Sequence, residues 1–147
     1  MSIETAYTIS SKATGGGRDG QVYSATGNID LDLRPPKELG GSGEGSNPEE
    51  LFSAGYAACF LGALHATSKQ AGTPAPDDST VNVTIGIGKD PADGGFGLTA
   101  TIDVTLPGLD QETADKLAQG AHQFCPYSKA TKGNIEQTVH ALSLIHI

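Results

Sequence analysis

The 147-residue sequence predicts one α+β domain over 1–147, with element order βββ-α-ββ-α-β and mostly antiparallel pairing. Three observations predict it. Gly27-Asn28 marks a turn between two short strand-like segments, the second alternating Ile29, Leu31 and Leu33. An Asn-Pro start at 47–48 opens a long apolar helical stretch. Two further segments then alternate apolar and polar residues before a second helical pattern.

Taken in order, residues 3–11 form a loose first strand, and 20–26 and 29–34 form a hairpin about Gly27-Asn28 that ends at Pro35-Pro36. The glycine- and serine-rich segment 38–46 is expected to be a flexible loop. Asn47 caps the first helix, Pro48 takes its first position, and Glu50 stands where a capping-box carboxylate belongs. The helix runs through LFSAGYAACFLGALHATSKQ and stops near Gly72, with Pro74 beyond. Val81, Val83, Ile85 and Ile87 mark a strand over 80–88, and Phe96 to Leu106 a second over 96–106. Asp110 caps a second helix, which Pro126 ends at Cys125. Gly133-Asn134 is a turn and 135–145 a weak last strand.

The first helix is apolar nearly all round from Leu51 to Leu64, so it needs cover on most sides. So small a sheet cannot supply it. A second copy can, and a homodimer with the helices inside is expected.

A formal net charge of −8 argues against nucleic acid and anionic membranes as partners. No apolar run reaches the ~18 residues of a membrane span, and the N-terminus lacks the pattern of a secretory signal. A cytoplasmic location is therefore expected. There the two cysteines are inert, metal-bound or redox-active rather than a structural disulfide.

Cys59 lies mid-helix among Ala57, Ala58 and Gly62, a setting that suits a small core residue as well as a nucleophile. Cys125, before a proline at a helix end, reads as mobile enough to approach another sulfur. Two such thiols permit a cycle in which one attacks a peroxide and becomes a sulfenic acid. The other condenses with it, and an external dithiol reduces the resulting disulfide. The attacking sulfur must be a thiolate, which calls for a nearby cation. Arg18, in GGGRDG, is the candidate; locally it also reads as a solvated turn arginine paired with Asp19. A carboxylate would orient it, and Glu49 is the better choice because Glu50 already has a capping role. Glu49 and Cys59 lie about 15 Å apart along a straight helix. Either Arg18 spans that gap or Glu49 meets the Cys59 of a second subunit. His122 and Cys125 form H-x-x-C, but no further ligand stands at metal spacing, so no metal site is expected.

NPEELFSAGYAACFLGAL, FCPYSKATKGN and GGRDG together resemble the organic hydroperoxide resistance branch of the Ohr/OsmC superfamily, over nearly the whole chain. The resemblance implies that Cys59 is the peroxidatic cysteine and Cys125 the resolving one. It implies that Arg18 activates the thiolate and that Glu49 is its salt-bridge partner. The implied fold is an intertwined homodimer with sheets wrapped around two central helices. The implied substrates are organic and fatty-acid hydroperoxides, the reductant is a dihydrolipoyl group on a lipoylated protein, and no cofactor is bound. Phe52, Tyr56, Phe60, Phe124 and Tyr127, close to the two cysteines in sequence, are the candidate residues for binding an apolar substrate. The alternatives are an OsmC-type peroxidase of broader range and a non-enzymatic lipid-binding dimer. The family usually ends in a clean alternating strand. Here 142–147 spell LSLIHI, which matches a translated sequencing-adapter end, so these residues are expected to be non-native.

Overall fold

The computed structural model describes residues 2–144. The chain forms two compact units, Met1–Leu51 and Phe52–Ile147.

The first unit holds an antiparallel sheet of β1 (Ser11–Gly15), β2 (Gly20–Ser24) and β3 (Asp30–Leu33), in that order. The first strand thus begins at Ser11 rather than within 3–10. Ile3, Tyr7 and Ile9 in that leading segment stay exposed. The β1–β2 turn is built on Gly15 and Gly17, both at positive φ, where a side chain would be strained. It is closed by Gly17 N–H donating to Thr14 O at 3.4 Å. The β2–β3 turn is wider than the two residues expected, because Ser24 takes up the polar groups that a tighter ladder would use. Its Oγ accepts from Ile29 N–H at 3.0 Å, while Ala25 N–H goes to Ser10 O. The loop after β3 is tied back to it. Arg34 N–H donates to Ser46 O and Ser46 N–H to Asp32 O, on either side of a short 3-10 turn at Lys37–Leu39.

Helix α1 (Pro48–Gln70) begins as the sequence predicts: Asn47 Oδ1 accepts from Glu50 N–H at 2.8 Å. It ends at Gly72, whose φ of 79° suits the left-handed closing position. There Gly72 N–H donates to Lys69 O and Thr73 N–H to Ser68 O. The buried residues of α1 are Tyr56, Phe60, Ala63, Leu64 and Ser68, one stripe at helical spacing. Ala54, Ala58, Gly62 and His65 are exposed.

The second unit contains β4 (Thr80–Lys89), β5 (Phe96–Thr105) and β6 (Glu136–Leu142). β4 and β5 form an antiparallel hairpin, and β6 lies parallel to β5. A parallel neighbour requires a crossover. It is supplied by α2 (Gln111–Phe124) and α3 (Pro126–Thr131). Asp110 caps α2 through Thr113 N–H at 3.2 Å. The expected order holds, with α3 added. Pro126 stops α2 as expected, yet its fixed φ and missing N–H also suit the first position of a new helix.

The core of this unit joins the α1 stripe to Ile102 and Val104 of β5, to Leu106, and to Ala114, Ala118 and Ala121 of α2. Leu142 closes β6, and its carbonyl accepts from Leu106 N–H at 2.8 Å. Of the terminal segment 142–147, residues 145–147 lie outside the described residues.

Leu64 is fully buried in this core. Leu64→Ala is expected to cost about 3 kcal/mol in urea unfolding. Asp110→Ala, which removes only a cap, is expected to cost about 1 kcal/mol.

Candidate active site

In the first unit, Arg18 and Glu49 form a two-pronged ion pair. Arg18 Nη2 donates to Glu49 Oε1 at 2.7 Å and Nη1 to Oε2 at 3.2 Å. This fork geometry fixes the guanidinium plane as well as its position. The Arg18 side chain is 51% exposed and that of Glu49 13%. The hydrogen bonds from Arg18 hold the Glu49 carboxyl below the usual carboxylate range, against an opposing effect of burial. The same hydrogen bonds push the Arg18 guanidinium up. Asp19, the alternative partner for Arg18, instead faces Arg34 Nε at 3.6 Å.

In the second unit, Cys59 of α1 and Cys125 at the α2–α3 junction are both free thiols. The Cys125 S–H donates to Cys59 Sγ at 3.5 Å. A disulfide would bring the two sulfurs to about 2.05 Å. Cys59 is half-buried and Cys125 fully buried. A helix end this enclosed is not the mobile site that the sequence predicts. Two helices meet at Cys125, and its side chain joins the core. Burial pushes the Cys59 thiol up. A hydrogen bond from the Tyr127 backbone opposes this, and the neighbouring Cys125 adds to the rise. These surroundings favour the protonated form of Cys59.

The aromatic residues divide. Phe52, Tyr56 and Tyr127 form a ring cluster with centroids 5.8 to 6.1 Å apart. A side chain at Gly55 would come within 3.4 Å of the Tyr127 ring, so glycine there permits the close approach. Tyr56 and Phe60 are fully buried, whereas Phe124 is 59% exposed. Tyr127 is partly open, at 40%.

A polar network lies behind the thiols. His122 Nδ1 and Ser128 Oγ are 2.9 Å apart, and Ser128 Oγ and the Tyr56 hydroxyl 2.7 Å. Gln137 Nε2 donates to the Tyr56 hydroxyl at 3.1 Å and also to Thr131 Oγ1. Sequence reasoning weighed His122 only as a metal ligand and did not single out Ser128 or Gln137. The signal that was available is the symmetric spacing of His122 and Ser128, three residues before and three after Cys125. Among the described residues, no three His, Cys, Asp or Glu side chains gather at metal-binding range. No helix there is long and apolar enough to cross a membrane.

An α+β chain of this order, with two thiols in contact across a helix junction, defines a paired-thiol protein of the OsmC type. The OsmC-like protein family model matches residues 41–140. The organic hydroperoxide resistance protein of Xanthomonas axonopodis is 45% identical over 134 residues, which cover 90% of this chain and 92% of that protein. The organic hydroperoxide resistance protein OhrB of Bacillus subtilis is 44% identical over 121 residues, covering 82% of this chain and 88% of that one. A crystal structure of an organic hydroperoxide resistance protein from Elizabethkingia anophelis superimposes with a TM-score of 0.89 at 44% identity, over 96% of this chain and 99% of that one. The chain belongs to the OsmC-like family.

Burial, with a smaller contribution from Lys132, lowers the His122 pKa. The neutral ring is thus favoured on folding. Its contribution to stability is complete above the unfolded value of about 6.5 and is lost as pH falls from there through the lower folded value. Urea unfolding between about pH 7 and pH 5 should show this decline, and His122→Ala should reduce its slope.

Proposed function

We propose that the chain is a thiol peroxidase that reduces organic and fatty-acid hydroperoxides to alcohols. The observation that carries this reading is the contact between Cys59 and Cys125, within a chain of this family. The Cys59 thiolate attacks the terminal oxygen of the hydroperoxide, and the O–O bond breaks. The alkoxide leaves and takes a proton, giving the alcohol and Cys59 sulfenic acid. The Cys125 sulfur then attacks the sulfenic sulfur. An S–S bond forms, and hydroxide leaves with the Cys125 proton as water. A dihydrolipoyl dithiol on a lipoylated protein reduces the disulfide by thiol–disulfide exchange.

Arg18 supplies the cation that stabilises the thiolate, and Glu49 orients it. Two points support this assignment. Burial raises the Cys59 thiol, so the reaction requires an activating charge. The paired guanidinium stands on a glycine-flanked turn and already has a fixed plane. Phe52, Phe124 and Tyr127 offer apolar surface to a hydroperoxide chain, backed by the buried Tyr56 and Phe60. The protein works as a homodimer. Its exposed α1 positions Ala54, Ala58 and Gly62 recur every four residues, and nothing lies within 4 Å of a side chain built at Gly62. Such a stripe lets a second backbone come close. The reaction belongs in the cytoplasm, where a reducing pool returns both thiols, and it uses no bound metal or prosthetic group.

Free thiols counted before and after one equivalent of cumene hydroperoxide, with non-reducing peptide mapping, test the cycle. Both thiols should be lost to a Cys59–Cys125 link within one chain. Survival of both would end the peroxidase reading. Cys59→Ser should abolish turnover, while Cys125→Ser should complete one turnover and then stall or over-oxidise. A thiol of ordinary pKa is roughly 3% ionised at pH 7, so Arg18→Ala should slow Cys59 oxidation by about 30-fold or more. That deficit should shrink as pH rises, in stopped-flow traces taken from pH 6 to 10.

A further inference from the structure

We propose that the hydrogen-bond chain Gln137–Tyr56–Ser128–His122 sets how fast Cys125 closes on oxidised Cys59, with His122 as its positioning residue. The proposal rests on the peroxidase cycle above and deepens its second step.

The chain touches both sulfur-bearing segments one turn from the sulfur. Tyr56 precedes Cys59 by three residues on α1. His122 precedes Cys125 by three on α2, and Ser128 follows it by three on α3. The His122–Ser128 bond therefore staples α2 to α3 across the one residue, Cys125, whose backbone is extended at φ −61°, ψ 122°. Rotation at that residue would swing α3 and move the sulfur. The Ser128–Tyr56 bond fastens the staple to α1. Gln137 joins Tyr56 of α1 to Thr131, the last residue of α3.

Gln137 Nε2 donates to the Tyr56 hydroxyl, whereas the Tyr56–Ser128 and Ser128–His122 bonds each admit either donor. With Nδ1 of His122 unprotonated, the donors run in one direction, from Gln137 through Tyr56 and Ser128 to His122. This order requires a neutral imidazole with its proton on Nε2; the enclosed setting of His122 favours the neutral ring. Tyr56 and Ser128 are buried, so each bond in the chain also satisfies a group that water cannot reach. Closure must carry the sulfurs from 3.5 Å to about 2.05 Å. A misplacement of about 1 Å at that stage costs up to 100-fold in rate.

Condensation competes with a second oxidation, in which another hydroperoxide converts the sulfenic acid to sulfinic acid and leaves as alcohol. The ratio of disulfide to sulfinic acid at excess hydroperoxide therefore reads the closing step alone, independently of the first attack. Rapid quenching, thiol alkylation and mass spectrometry of full-length wild type, His122→Ala, His122→Asn and Ser128→Ala measure it. His122 is only half-buried, so its variants should fold, which the thermal midpoint checks.

His122→Ala and Ser128→Ala should oxidise Cys59 at the wild-type rate. They should close the disulfide about tenfold more slowly and accumulate sulfinic acid where wild type does not. His122→Asn, whose side-chain oxygen reaches the place of Nδ1, should restore most of the wild-type ratio. A wild-type ratio in His122→Ala would overturn the proposal, leaving the network a matter of packing. Equal losses in His122→Ala and His122→Asn would overturn the hydrogen-bond account. If wild type itself makes no disulfide, the proposal falls together with the two-thiol cycle, a result distinct from the other two.

Discussion

Proline after Cys125 removes an N–H and disfavours the helical region for the residue before it. Most of the second unit's arrangement depends on that restriction. Cys125 takes an extended backbone, yet both of its backbone groups are used. Its N–H closes α2 on Ala121 O at 2.8 Å, and its carbonyl accepts from Lys129 N–H at 3.0 Å to open α3. The chain can therefore break in the interior without leaving an unpaired peptide group there. The side chain is left to face α1, where Cys59 stands. Folding alone has already closed the loop of 66 positions between the sulfurs, and the entropy of that closure has been met by the core rather than by the disulfide. Joining the sulfurs then needs only a local adjustment.

The polar pairs of the molecule differ in what they contribute. An ion pair as open as Arg18–Glu49 adds little to stability, on the order of 0.5 kcal/mol. Its fork geometry matters more, since it holds a guanidinium in one plane. The thiols present the opposite case. Burial favours the protonated form of Cys59, which disfavours reaction with stray electrophiles because reactivity follows the thiolate fraction. In the proposed cycle, a thiol that its surroundings suppress and a preformed cation are complementary requirements.

Much of this was legible in the sequence where local chemistry decides the outcome. Asn47-Pro48 starts α1, Gly72 ends it, Asp110 caps α2, and the alternation of β4 and β5 matches the buried Ile102 and Val104. Organic hydroperoxide resistance proteins at about 45% identity stand where the motifs pointed. What the sequence hid depends on partners distant in the chain. Residues 3–9 have strand-like spacing but belong to no strand among the described residues. The hairpin widened where the Ser24 hydroxyl takes the Ile29 N–H and Ser10 O takes the Ala25 N–H. A proline signals an end and a beginning with the same letter, so α3 was missed. The parallel course of β6 follows from the crossover, which no local pattern encodes. Cys125 looked mobile because a helix end usually is, and only the core contacts reveal that it is enclosed.

The network behind the thiols shows why such polar residues escape a sequence reading. His122, Ser128, Tyr56 and Gln137 form no motif, and each lies on a different element. Each alone would be a liability in a core, since an unsatisfied hydroxyl or amide costs about 1–3 kcal/mol. Together they satisfy one another in a single arrangement, and any other arrangement strands at least one of them. An apolar core of equal volume would hold α2, α3 and α1 together with similar strength but with more freedom to slide. A satisfied polar network excludes those slid states because each one loses a hydrogen bond. For two sulfurs held 3.5 Å apart, that exclusion defines their approach more than additional stability would.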